Sequence, residues 1–194
     1  MSLKERVYSM LLVSSTDTLS ATFAQLLPES RYSPIHTASS ISSAKRMLAE
    51  KAYDFIIINT PLPDDFGTQF AIDTCLTRQS AVLLLVKNDI HDSIHDKAAE
   101  YGVFTLPKPT AKPTILQALN WMESARERLR QFEKKSISLE EKMAEIRLVN
   151  KAKWILISEL KMSESEAHYY IEKQAMNRCS AKKIIAEEII RTYT

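Results

Sequence analysis

Four short apolar runs in this chain end in side chains that could meet a ligand. Met10-Leu11-Leu12-Val13 leads into Ser14 and Ser15, Asp54-Phe55-Ile56-Ile57-Ile58 into Asn59, Ala81-Val82-Leu83-Leu84-Leu85 into Val86, and Leu106-Pro107 into Lys108. Together they offer two hydroxyls, an amide, an aliphatic group and an ammonium. An amide is a poor nucleophile and cannot form an acyl phosphate, and no carboxylate is present of the kind that Mg²⁺ prefers. His91 and His95 stand four residues apart, a spacing that can bind metal on one helix face, but no third ligand accompanies them. The acidic residues around them fit a helix start near the positive dipole end. No P-loop, no G-x-S-x-G and no Cys-His pairing signal occurs. No catalytic residue, metal or cofactor is therefore assigned, and nothing supports an enzyme.

These residues need elements that bring their run ends together. Short apolar runs at 10–13, 54–58, 81–86 and 103–106 alternate with segments of helical pattern, and a weaker strand is expected near Ser33–Thr37. Ile41, Ala44 and Leu48 follow Ser39-Ser40; Phe66, Phe70 and Thr74 follow Asp64-Asp65; Ile94, Ala98 and Tyr101 follow Asp89. Alternating β and α elements predict a doubly wound, five-stranded parallel sheet with helices on both faces. Such sheets bind ligands at the carboxyl ends of their strands, where Ser14, Asn59, Val86 and Lys108 fall.

The order of strand, Asn59, and the loop Thr60-Pro61-Leu62-Pro63-Asp64-Asp65-Phe66-Gly67 resembles the third strand and following loop of response-regulator receiver domains. The resemblance implies a flavodoxin-like fold in which Asn59 takes the place of the phosphorylated aspartate. It also implies that Ser14 and Ser15 replace the Mg²⁺-holding acids and that Val86 replaces the switch hydroxyl. Lys108, in Leu106-Pro107-Lys108-Pro109, matches the family's lysine, and its Lys-Pro step resembles the family's cis-peptide signature. Residues 1–120 are accordingly expected to be a pseudo-receiver that does not work by phosphorylation.

Gly67 and Gly102 are the two glycines, and after Pro113 no proline interrupts the chain. Residues 114 to about 160 read as one long helix. Within it Met122, Ala125, Leu129, Phe132, Ser136, Leu139, Met143, Ile146 and Asn150 are spaced alternately by three and four, an a/d seam with two polar interruptions. In a parallel pair Arg128 would face Glu133 and Lys135 would face Glu140, while Lys142 facing Arg147 is unfavourable. A coiled-coil dimerisation helix over 121–150 is the expectation, the alternative being a helix folded back on its own domain.

The last segment contains Ala152-Lys153, then Ser163-Glu164-Ser165-Glu166-Ala167, then Ala175-Met176, then Ile185-Ala186-Glu187-Glu188-Ile189. In this order and spacing it is similar to the ANTAR domain, a three-helix RNA-binding module of transcription antitermination regulators. Ser163 and Glu166 form a capping-box pattern. Ala167, Tyr170, Ile171 and Gln174 share one face of the helix they open, and Ala181, Ile184, Ile185, Glu188 and Ile189 share a face of the last helix. A unit this short makes a marginal core alone, so Ile155 and Leu156 of the long helix must complete it. The resemblance covers 151–194 and implies that Lys151, Lys153, Lys173, Arg178, Lys182 and Lys183 meet RNA phosphates. His168, Tyr169 and Tyr193 are candidates for base stacking. Two positions depart from the family pattern: Glu172 stands where Arg is common, and Trp154 where Gly is usual.

Composition agrees with this organisation. The 194 residues carry a formal charge of +2, too small to imply nucleic acid by itself. Residues 1–120 hold 11 basic and 12 acidic residues, 121–150 hold 7 and 6, and 151–194 hold 8 and 6, so the surplus leans C-terminal. Cys75 and Cys179 are too few and too distant for a disulfide or metal framework. No apolar run approaches the ~20 residues of a membrane span and no signal-peptide pattern opens the chain, which predicts a cytoplasmic protein with no membrane partner. The combined resemblance predicts a homodimer that binds hairpins of a nascent leader transcript, with a regulatory protein as a further partner. A protein–protein adaptor that has lost RNA binding is the other reading.

Overall fold

The computed structural model describes residues 6–78 and 80–193. The strands are β1 (Tyr8–Val13), β2 (Tyr32–Ala38), β3 (Phe55–Asn59), β4 (Ala81–Lys87) and β5 (Phe104–Lys108). The helices are α1 (Asp17–Leu26), α2 (Ile41–Glu50), α3 (Thr68–Thr77), α4 (His91–Ala98), α5 (Lys112–Leu160), α6 (Glu164–Asn177) and α7 (Lys182–Tyr193). The chain divides into two compact units, residues 1–130 and 131–194.

In the first unit the five strands are all parallel in the order β2-β1-β3-β4-β5, the doubly wound arrangement the periodicity predicts. β3 and β4 are buried on both faces, which is why they read as unbroken apolar runs. Alternate residues separate onto two cores. Leu11, Val13, Ile56, Ile58, Leu84 and Val86 pack with Ile41, Leu48 and Phe70 on one face. Tyr8, Met10, Leu12, Phe55, Ile57 and Leu83 pack with Phe23, Ile115, Leu119 and Met122 on the other. Met122, expected to head the apolar seam, has no exposed surface and belongs to this second core. The start of α5 thus covers the sheet, and Met122 serves the domain rather than a partner helix.

Loop chemistry fixes where β3 delivers Asn59. The Asp64 carboxylate accepts hydrogen bonds from the Ile41 and Ser42 amides at 3.0 and 2.9 Å, capping α2 from the β3–α3 loop. Those amide bonds, with the Ser42 hydroxyl, hold the Asp64 carboxyl below the usual range. Gly67 has φ +94°, and a Cβ there would come 3.1 Å from Ile58 Cγ2, so both backbone and space demand glycine.

The second unit is a three-helix core of Ala152, Leu156, Ala167, Ile171, Ala175, Ile185, Ala186 and Ile189. The Ser163–Glu166 capping box is formed: the Glu166 amide donates to Ser163 Oγ, and the Ser163 amide donates to the Glu166 carboxylate at 2.8 Å. Two faces differ from the sequence expectation. Ile184 is exposed while Ala186 is buried, and Tyr170 lies at the edge of the core with Ala175 inside it, so α7 and α6 each turn to the core a face about one position round from the predicted stripe. With no glycine available, Lys161 (φ 57°) and Cys179 (φ 47°) adopt the left-handed conformation that ends α5 and α6.

Candidate functional site

At the carboxyl edge of the sheet, Asn59 is fixed from both sides. Its Nδ2 donates to Ser14 Oγ at 3.1 Å, and its Oδ1 accepts from Lys108 Nζ at 2.7 Å. Lys108 also donates to the Thr60 carbonyl. Ser14 is buried and folds onto its own loop, donating to the Thr16 carbonyl at 3.0 Å and accepting from the Thr16 amide at 3.2 Å. Ser15 is exposed. Val86 is wholly buried among Ile58 and its neighbours. The edge therefore brings Ser14, Asn59 and Lys108 into one hydrogen-bonded chain, while Ser15 and Val86 lie off it. Burial, and then the Lys87 charge, hold the Lys108 ammonium below its ordinary pKa. The Lys108–Pro109 peptide is cis.

His91 and His95 are engaged by Thr105: His95 Nδ1 lies 2.7 Å and His91 Nε2 3.2 Å from its hydroxyl, with the two rings stacked. Among the described residues no group of three or more His, Cys, Asp or Glu side chains is arranged to hold a metal ion.

The opposite edge of the sheet holds a charged cluster that sequence reasoning missed. The Asp54 carboxylate accepts from Arg130 at 2.6 Å, from Arg126 Nε at 3.0 Å and from the Ser9 amide at 3.0 Å. Burial pushes its pKa up, but the Ser9 amide and the two guanidiniums outweigh this and leave it below the usual carboxylate range. Glu123 is buried and accepts from Tyr32 Oη and Arg31, and Glu127 accepts from Arg6 and from Arg130. Burial, then the hydrogen bond to Glu123, push the Tyr32 hydroxyl up. The partners that α5 takes from Arg6, Arg31, Tyr32 and Asp54 lie 72 to 121 residues away in sequence. The one available sign was that Glu123, Arg126, Glu127 and Arg130 recur at helical spacing.

The remaining seam residues on α5 are accessible. Leu129, Phe132, Leu139, Met143 and Ile146 are exposed, Leu139 at 60%, and Ala125 is half-buried.

In the second unit the expected phosphate-binding residues are mostly paired to glutamates. The Lys153 side chain is only 16% exposed and donates to Glu164 at 3.0 Å, because the α5–α6 turn brings that carboxylate over it. Lys182 donates to Glu172, Arg178 to Glu188, and Lys183 lies 3.9 Å from Glu187. Glu172 also lies 3.3 Å from His168 Nε2, and the Lys182 hydrogen bond and charge hold its carboxyl below the usual range. Lys173 sits 5.7 Å over the Tyr169 ring, and Lys151 is exposed. Trp154 is 70% exposed, and Tyr169 and Tyr193 are also accessible.

The ANTAR domain family matches residues 138–190. The transcriptional regulatory protein PdtaR of Mycobacterium tuberculosis is 24% identical over 170 residues, which cover 87% of this chain and 82% of the relative. Among solved structures, a signal receiver domain of an HD domain-containing protein from Pseudomonas fluorescens Pf-5 is 23% identical, with a TM-score of 0.58, over 68% of this chain and 96% of that one. A response regulator from Chloroflexus aurantiacus J-10-fl is 20% identical, with a TM-score of 0.54, over 61% of this chain and 99% of that one. The chain thus joins an N-terminal domain of receiver fold to a C-terminal ANTAR domain. No helix among the described residues is long and apolar enough to cross a membrane.

Proposed function

We propose that this protein is a homodimeric, RNA-binding regulator of transcription antitermination whose receiver-like domain is not switched by aspartyl phosphorylation. The observation that carries this reading is the ANTAR match over 138–190, since ANTAR domains bind RNA. In this reading residues 1–120 receive a signal from a protein partner or a small ligand, 121–150 pair with a second copy, and 151–194 bind RNA. The helix from the coiled coil continues into the RNA-binding unit. The bound RNA is a pair of small hairpin loops in a nascent leader transcript, and binding blocks terminator formation. Lys151, Lys153, Lys173, Arg178, Lys182 and Lys183 supply phosphate contacts, and Tyr169 a stacking surface.

Non-phosphorylated signalling is supported by the chemistry at the sheet edge. The Asn59 amide cannot accept a phosphoryl group, and Ser14 and Ser15 are neutral where metal ligands would stand. One observation favours the second reading, an adaptor without RNA: Glu172 neutralises Lys182 on the face that would meet phosphate.

Electrophoretic mobility shift with a two-hairpin RNA, over a series of salt concentrations, separates the two. The RNA reading requires a shifted complex whose log affinity falls with log salt by about 0.7 to 0.9 per phosphate contact. Absence of a complex at the lowest salt favours the adaptor.

A further inference from the structure

We propose that the cavity beside Lys108 binds a small organic anion, with a carboxylate or phosphate head on the Lys108 ammonium and an apolar body against Leu85 and Ile115. The cavity, of about 320 Å³, opens at the carboxyl edge of the sheet between α1 and the β5–α5 turn, with Thr18 and Thr22 on its rim. That volume lies at the small end for ligand sites and suits a small organic molecule.

The charge balance points to an anion. Among the described residues no carboxylate lines this space. The Lys108 ammonium donates to two neutral acceptors, Asn59 Oδ1 and the Thr60 carbonyl, and an ammonium has three protons to give. The charged group that acts on it is another cation, Lys87, its neighbour across the β4–β5 ladder. Asn59 orients the ammonium but supplies no charge. A half-buried cation beside a second cation gains most from an anionic ligand, which offsets the repulsion and can accept the third N–H of the ammonium. Leu85 and Ile115, both nearly buried, give the cavity an apolar wall. An inorganic ion would leave that wall unused, whereas a short hydrocarbon body covers it.

This site goes beyond the RNA-binding reading and does not depend on it. The full chain, labelled with ¹⁵N, is titrated with butanoate, butyl phosphate and neutral butanamide while amide shifts are followed. Saturable shifts at Asn59, Thr60 and Thr110 are expected for an anion, with affinity about tenfold above butanamide. Which anion saturates identifies the head group. Lys108→Met should abolish saturation and Lys108→Arg should retain it. Thr22→Leu, which narrows the rim without touching the lysine, should weaken binding severalfold. If neither anion saturates, if butanamide binds as well, or if Lys108→Met or Thr22→Leu leaves the affinity unchanged, the proposal is overturned. These shifts report on the first unit alone, so either result stands apart from whether the protein binds RNA.

Discussion

Asp54 Oδ1 lies 2.6 Å from the Arg130 guanidinium, an ion pair that ties the residue before β3 to the stretch of α5 lying over the sheet. Arg126 and the Ser9 amide share the same carboxylate. Its side chain is 12% exposed, and those of the two arginines are 13% and 25%. The apolar contacts of Leu119 and Met122 hold α5 against the sheet face, and this cluster fixes its position along the edge.

Removing Asp54 leaves two partly buried guanidiniums without their carboxylate. Asp54→Ala should lower the stability of the first unit by about 3 kcal/mol, read as the midpoint of its urea transition. The sign of the pH dependence follows from its depressed pKa. Because the folded value lies below the ordinary ~3.9, the stabilisation is complete above the unfolded pKa and is lost as pH falls through the folded one. Below about pH 4 the wild-type midpoint should therefore fall more steeply than that of Asp54→Asn. Parallel curves would mean that Asp54 is not a source of acid sensitivity.

Acetyl phosphate should leave no acid-labile phosphoryl group on residues 1–120. Asn59→Asp alone should not confer switching, since Ser14, Ser15 and Val86 still stand at the other positions. Intact mass after incubation with acetyl phosphate and Mg²⁺ checks both statements. A labile adduct on wild-type protein, mapped to Asp54 or Asp64, would overturn the unphosphorylated reading.

The exposed apolar residues of α5 predict a dimer. Leu139→Lys should give a monomer by light scattering at tens of micromolar and should loosen the second unit, whose first helix continues from the same segment. A wild-type monomer at that concentration would instead favour the helix folded back on its own domain.

Cys179 sits where α6 ends in a Schellman turn: its amide donates to the Met176 carbonyl at 3.2 Å and the Ser180 amide to the Ala175 carbonyl at 2.9 Å. A left-handed conformation disfavours any side chain with a Cβ. Cys179→Gly should stabilise the second unit by roughly 0.5 to 1 kcal/mol, seen as a raised thermal midpoint. A lowered midpoint would show that the thiol contributes more than the strain costs.

For RNA, Lys151→Ala and the double change Lys182→Ala/Lys183→Ala should weaken binding with the fold intact. Lys153→Ala should weaken it and also loosen the α5–α6 turn through loss of Glu164. Glu172→Arg should strengthen binding by removing a negative charge from the face near Lys182. Affinities measured at two salt concentrations separate these effects, and indifference to all of them would favour the adaptor.

Much of the first unit was legible because strands buried on both faces must be apolar throughout, so Phe55–Ile58 and Ala81–Val86 announce themselves and the polar residue that ends the first of them is conspicuous. The chain from Ser14 through Asn59 to Lys108 follows from strand order. Met122 was misread for a physical reason. A helix that covers a sheet and a helix that pairs with another repeat their apolar residues at nearly the same interval, so spacing alone does not tell which role Met122 plays at the head of the seam. The Asp54 cluster was invisible because Arg126 and Arg130 read as solvated helix charges until the fold brings a carboxylate from 72 and 76 residues away. Lys153 misled for the same reason, since its partner arrives only when the chain turns back at Lys161.

The bond from Lys182 to Glu172 has a consequence for ion traffic. A phosphate that takes the lysine releases counterions from the nucleic acid, but it also frees a carboxylate that the lysine had been serving. Glu172 then gathers its own sodium or potassium from the medium. Uptake on the protein side partly cancels release on the RNA side, so the measured salt slope would undercount the phosphates actually touched. Glu172→Gln would restore the full count, and the difference in slope between the two proteins would measure the cations that one glutamate recruits.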